Sequence, residues 1–276
     1  MRPSALLAAL LALGAPAAAA PRLTVAASFY PIWFFASSIG GRRAAVFNVT
    51  PAGAEPHDYE PTARDVARIE GSGLFLFDGV VEPWGERLAE SLKSRRSRSA
   101  RVGFGDPDPH VWLSARLAER LSADIERAMA GADAADAPFF AANERLLHAR
   151  LEALDGDYRR GLARCAGRDI VVSHAAFGYL AAAYGLRQVA ILGLSPDSQP
   201  SPRRLAGVVD FARQHRVTTV FFEPLVSPKL ARTVAGETGA TALSLDSLEA
   251  TLPAQKDYFA RMRANLAALR TALRCR

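Results

Sequence analysis

Cysteine is scarce in this chain: two residues in 276, Cys165 and Cys275. Neither has a cysteine or histidine two to five residues away, which excludes a cysteine-built metal site of the finger or ribbon kind. Histidine is scarce too, and no two of the five stand at the i, i+4 spacing of a His-x-x-x-His helix motif. Past residue 20 no apolar run reaches the ~20 residues that a membrane-spanning helix needs. Aromatics make up 8% of the chain, and none interleaves its one dense basic cluster, Arg95, Arg96, Arg98 and Arg101. A stacking platform for single-stranded nucleic acid is therefore missing. The formal charge of +6 comes almost entirely from arginines mixed with Asp and Glu. It reads as a solvated surface, and nucleic acid is not an expected partner.

Residues 1–20 hold one positive charge, a short apolar core and a small-residue exit, the layout of a secretory signal peptide. The alternative, a single membrane anchor, suits the short apolar run less well. No cysteine lies near the cleavage region, so lipid attachment is not expected. The chain then reads as a soluble protein released into the periplasm or beyond. In an oxidising compartment Cys165 and Cys275 are expected to form a disulfide, the alternative being two free thiols. Such a bridge closes a loop of about 110 residues, worth up to ~4–5 kcal/mol in the chain-entropy model.

Removing the leader leaves roughly 255 residues, enough for one large or two modest domains. Short apolar or β-branched runs predict strands at 23–27, 45–49, 74–77 and 101–104, then at 169–173, 188–192, 218–222 and 241–245. Helical segments alternate with them, which implies parallel sheets and right-handed crossovers. The spacing of Leu117, Leu121 and Ile125 predicts a helix over 114–130, with Ser114 as N-cap and Gly131 as stop. A second helix over 137–163 carries Phe140, Leu147, Leu151, Leu154, Tyr158 and Leu162 on one face. At 1.5 Å per residue it makes a rod of about 40 Å, long enough to join two lobes; the alternative is a long helix packed on one domain. The expected class is α/β, two lobes each with a mainly parallel four-stranded sheet flanked by helices, bridged by one long rigid α-helix. The expected divisions are 21–135, 136–165 and 166–276.

Three histidines share a position type. His57 follows the second strand, between Pro56 and Pro61, each of which fixes its own φ and restricts its predecessor. That stiffened loop suits a pre-shaped site, or else it is a surface turn that contains a histidine. His110 follows the fourth strand and His174 the fifth. Glu223 follows the seventh and Asp246 the eighth. Ligand sites in open α/β sheets lie beyond the carboxyl ends of strands. His57, His110, His174 and Asp246 could hold a divalent transition ion at four positions, two from each lobe. His148, inside the long helix, and His215, near a helix end, read as surface or packing residues.

At these residues the chain resembles the periplasmic metal-binding proteins of zinc and manganese ABC importers, the ZnuA/TroA-like family. The matching stretches are Glu55-Pro-His-Asp-Tyr-Glu-Pro-Thr62, Asp78-Gly79 with Glu82-Pro-Trp84, Asp108-Pro-His-Val-Trp-Leu113, Ser173-His174 with Phe177-Gly-Tyr179, Phe221-Phe-Glu223, and Glu237-Thr-Gly-Ala240 leading to Leu245-Asp246. They occur in family order over the whole mature chain. The resemblance implies two α/β lobes bridged by a long helix, one metal ion between them, and His57, His110, His174 and Asp246 as its ligands. Glu223 is the fallback ligand, or more in keeping an acceptor for a histidine N–H, and Glu60 stands in the same position. Two departures stand out: Ala175 where the family usually has Asp, and Ser247 where it usually has Pro, which loosens the turn presenting Asp246. The histidine-rich loop of many zinc-type members is also absent, since residues 90–105 hold no histidine. A periplasmic metallochaperone is a reasonable donor in its place.

Manganese-preferring members often replace the third histidine with glutamate, so His174 favours Zn²⁺, with Mn²⁺ the alternative. The implied function is capture of the ion and delivery to an ABC permease and its ATPase, by a monomer, with small lobe movements. A rival reading is an exported zinc hydrolase, with three histidine ligands, a bound water and Glu60 or Glu223 as base. A second rival, an adhesin or receptor for an organic ligand, calls for an apolar cleft that the imidazoles and carboxylates argue against. A closed four-ligand sphere would exclude the hydrolase.

Overall fold

The computed structural model describes residues 23–93, 98–104, 107–196, 199–252 and 257–276. The expected leader at 1–20 and residues 95–97 of the basic cluster lie outside them. The first half alternates β1 (Leu23–Ala27), α1 (Tyr30–Gly40), β2 (Ala44–Asn48), α2 (Ala63–Glu70), β3 (Leu74–Phe77), α3 (Trp84–Leu92) and β4 (Arg98–Arg101). Two long helices follow, α4 (Ala115–Ala132) and α5 (Ala137–Leu162). The second half repeats the alternation with β5 (Asp169–Val172), α6 (Gly178–Ala183), β6 (Arg187–Ala190), α7 (Pro202–Gln214), β7 (Thr219–Phe222), α8 (Lys229–Thr238) and β8 (Thr241–Ser244), and ends on α9 (Tyr258–Ala272).

Among the described residues the strands of both sheets pair in parallel, in the orders β2-β1-β3-β4 and β6-β5-β7-β8. The sequence explains why these strands lie inside. Leu-Phe-Leu-Phe of β3 is buried at all four positions, as a parallel strand covered on both faces must be. In each order the winding reverses beside the first strand of its half. The loops beyond the carboxyl ends therefore gather at one edge, where open α/β sheets hold their ligands.

Two expectations are corrected. The fourth strand spans Arg98–Arg101 and not 101–104. It is an edge strand with one neighbour, so arginines can point to solvent, and an apolar run is the wrong guide to its position. Beyond it, Val102 N–H donates to Phe77 O and Gly103 turns at φ +112°. Gly131 does not stop α4, which runs on to Ala132 with Asp133 as its cap. Ser114 does occupy the N-cap position there, although its side chain makes no capping bond.

The buried face of α5 is the one its spacing predicts: Phe140, Leu147, Leu151, Leu154, Tyr158 and Leu162. It packs along α4, α1 and α9, so residues from both halves meet on it. One continuous apolar core takes in Val25 and Leu74 of the first sheet and Ile170, Val172 and Phe221 of the second. Its centre is aromatic. Phe34 and Phe35 of α1 lie against Tyr258 of α9, at ring-centroid distances of 5.3 and 5.1 Å. Tyr258 Oη donates to Trp112 O at 2.5 Å, and Tyr158 Oη donates to Met262 O at 2.7 Å. Cys165, just past α5, is bonded to Cys275, just past α9, so the expected disulfide is present and ties the ends of these two helices together.

A core shared by both halves should melt as one unit. Phe35→Ala is expected to cost about 3–5 kcal/mol and Tyr258→Phe about 1–2 kcal/mol, each lowering a single cooperative calorimetric transition. Two resolved transitions in the wild-type protein would show that the halves are energetically separate.

Candidate metal centre

His57 stands on the loop after β2. That loop is tied at its far end by a capping box, in which Thr62 Oγ1 accepts from Asp65 N–H and the Asp65 carboxylate accepts from Thr62 N–H at 2.9 Å. Tyr59 Oη donates to the same carboxylate at 2.7 Å. At its near end, Gly53 N–H donates to Thr251 O at 2.8 Å, joining the loop to the segment after β8. His110 follows β4, and the Asp108 carboxylate holds both its backbone N–H, at 3.0 Å, and its Nδ1, at 2.7 Å. His174 follows β5, and its Nδ1 lies 2.7 Å from Glu223 Oε1. With Nδ1 held in two of the three rings, Nε2 is turned inward.

The three Nε2 atoms converge on one oxygen, and it does not belong to Asp246. Glu249 Oε1 lies 3.1 Å from His57 Nε2, 2.9 Å from His110 Nε2 and 3.7 Å from His174 Nε2. His110 Nε2 and His174 Nε2 are 3.3 Å apart, and all four donor atoms lie within 4.8 Å of one another. His110 and His174 are completely buried and Glu249 is 2% exposed.

Asp246 has another occupation. Its carboxylate pairs with the Arg261 guanidinium through two contacts of 2.7 Å and accepts from Leu248 N–H at 2.8 Å. Its backbone N–H and C=O both bond the side chain of Asn265. The fourth position expected of Asp246 is thus taken by Glu249, three residues on. Leu248 between them adopts φ +58°, a left-handed conformation uncommon for a bulky residue. Ser247 Oγ donates to Glu249 Oε2 at 2.8 Å and steadies it.

Nothing in the local sequence marks Glu249 over Asp246. Strand-end reasoning selects the nearest carboxylate, and the arginine that neutralises it comes 15 residues later. The one available signal was a second acid within the same loop. Glu60, expected as a fallback ligand or base, is exposed and pairs with Arg87. His148 pairs with Glu152 on the surface of α5, and His215 stacks on Phe211; neither approaches the cluster.

The electrostatics follow from burial. Burial alone would raise the Glu249 carboxyl, but the charges and hydrogen bonds of His174, His110 and His57 outweigh it and hold the group well below the usual carboxylate range. Burial works against a charged His174 too. The Glu249 charge and the hydrogen bond to Glu223 overcome it, and the imidazole is pushed up to about 11. Against the same burial, His57 is raised by the same carboxylate, and His110 by its hydrogen bond to Asp108 and then by Glu249. Glu55 is pushed up to about 7 by burial and then by the Glu249 charge.

The family model described as ZnuA, zinc-uptake complex component A periplasmic, matches residues 25–272. The high-affinity zinc uptake system protein ZnuA of Bacillus subtilis (strain 168) is 32% identical over 280 residues, covering 91% of this chain and 88% of that protein. The zinc-binding lipoprotein AdcA of Streptococcus pneumoniae serotype 4 is 33% identical over 278 residues, and this chain spans 55% of its length. The crystal structure of the laminin-binding protein Lbp of Streptococcus pyogenes superposes with a TM-score of 0.84 at 31% identity, covering 91% of this chain and 99% of that one. The match takes in both sheets and all four clustered residues, and with it the chain belongs to the ZnuA family of periplasmic zinc-uptake components, a solute-binding protein and not an enzyme.

Proposed function

We propose that the protein captures Zn²⁺ between its two halves with His57, His110, His174 and Glu249 and delivers it to an ABC permease driven by a cytoplasmic ATPase. One observation carries this reading. A tetrahedral ion with ligands at about 2.0–2.1 Å needs donor atoms about 3.3–3.4 Å apart. Four of the six separations, 2.9, 3.1, 3.3 and 3.7 Å, lie around that edge length, and all six are within 4.8 Å. Three imidazoles with one carboxylate suit Zn²⁺ better than the oxygen-rich sphere Mn²⁺ prefers. Four protein ligands close the sphere and leave no bound water to activate, which fits cargo.

In this reading residues 21–135 and 166–276 form the lobes, 136–165 connect them, and the shared core opposes wide hinge opening. Residues 1–20 direct export to the periplasm. The protein works as a monomer in this reading. With no histidine in residues 90–105, a separate donor protein supplies the ion.

Titrating stripped protein with Zn²⁺ and Mn²⁺ tests the ligand set. Glu249→Ala is expected to lose at least about 10²-fold in zinc affinity. Asp246→Ala should keep most of its affinity but lose about 3 kcal/mol of stability, because Arg261, 6% exposed at its side chain, is left without its partner. The reverse pattern would return the fourth position to Asp246.

Proton release offers a second check. The metal binds neutral imidazole, and His174 is protonated below about 11, so zinc must displace that proton at neutral pH. Affinity should rise with pH and fall about tenfold per unit of acidification for each proton displaced. Calorimetry in buffers of different ionisation enthalpy should show at least one proton released; no release at pH 7 would refute the charge state assigned to the empty cluster.

A further inference from the structure

Beside the histidine cluster lies a small cavity of about 10 Å³, close to the room one water molecule needs. Its walls include Glu55, Glu223, Asp246 and Glu249. Arg261 also lines it, with its guanidinium committed to Asp246. Glu249 is held by the three imidazoles, and Glu223 Oε1 by His174. Glu223 Oε2 is different: it is buried, belongs to a residue only 3% exposed, and has no hydrogen-bond partner among the described residues. A buried carboxylate oxygen in that condition calls for a ligand, and the cavity is where one fits.

Glu55 also borders a second, open cavity of about 590 Å³. Asp58 lines that cavity as well, and Lys229 is the one cation among its described lining residues. Leu225 and Val226 are common to both cavities, so the wall between the two is apolar except for the Glu55 carboxylate. His110 and His174 are sealed from solvent. One path to the cluster runs from the open cavity past these shared residues, and Glu55 is the carboxylate among them. Glu55 is mechanically linked to the first ligand, because His57 N–H donates to its Oε1 at 3.3 Å.

We propose that Glu55 is a relay ligand, which takes a partly hydrated divalent cation from the open cavity and passes it across the small one, by way of Glu223 Oε2, to Glu249 and the imidazoles. The proposal rests on the zinc-capture reading above. Uptake by Glu55 exchanges one water of the ion for a carboxylate oxygen, each later transfer exchanges one carboxylate oxygen for the next, and arrival replaces the remaining waters with imidazole nitrogens. The apolar wall strengthens the attraction, since a carboxylate acts over a longer range where water is excluded. A relay speeds passage in both directions, so its loss should appear in rates far more than in equilibrium affinity.

The test is stopped-flow mixing of stripped protein with Zn²⁺ at several salt concentrations, followed by chelator-driven release, for wild type, Glu55→Gln and Glu55→Asp, with thermal melts to confirm folding. Glu55→Gln is expected to slow association and release together by about tenfold while Kd shifts by less than about twofold, and to flatten the salt dependence of association. Glu55→Asp, which restores the carboxylate, should recover much of both rates. Unchanged rates in Glu55→Gln, or an affinity loss arising from faster release alone, would overturn the relay. Failure of the wild-type protein to bind zinc at all would instead sink the capture reading on which it stands.

Discussion

Three imidazoles converge on the buried carboxylate of Glu249, and the rest of the molecule has to support that convergence before any ion arrives. Desolvating an anion and two or three imidazoles is costly unless their charges and hydrogen bonds meet. Here three of the four members are held from outside the cluster. Asp108 grips His110, Glu223 grips His174, and Ser247 grips the far oxygen of Glu249. Rings fixed in this way lose little further freedom when a metal binds.

The segment from Asp246 to Thr251 shows how the fold achieves this. It leaves β8 in the second sheet, yet many of its bonds lead to the first half. Trp112 Nε1 donates to Ser247 O at 2.8 Å, Asn48 Nδ2 donates to Thr251 Oγ1 at 3.1 Å, and Gly53 N–H donates to Thr251 O. Arg261 and Asn265 of α9 anchor its start. Glu249 is therefore placed by both halves at once, and the aromatic core of Phe34, Phe35 and Tyr258 beneath keeps those halves in register. Any large relative movement would break the carboxylate's footing before it moved a histidine.

Much of this was legible in the sequence, and the failures have a common physical cause. Strands and helices whose apolar residues face a core announce themselves by period, which is why β3 and the buried face of α5 read correctly. β4 did not, because an edge strand with arginines on its surface carries no such pattern. The three histidines stood out because each follows a strand in a parallel sheet, a position that topology alone makes functional. The fourth position depended on which of two nearby acids finds a cation elsewhere. Arg261 decides that, from a helix whose placement no local pattern reveals. Ser247, read as a loosened turn, turns out to supply a hydroxyl that holds Glu249.

The charge state of the empty cluster bears on how cargo can leave a closed site. Glu249 stays anionic without metal because imidazolium neighbours stand in for the cation, with His174 protonated up to about 11. Capture is then an exchange of protons for a metal ion inside an otherwise fixed arrangement, and release is the reverse exchange. Neither direction leaves the carboxylate unpaired, so neither requires the core to open. Pre-organisation and release, which conflict in a site that must unfold to let go, are compatible here because protons replace the metal's charge.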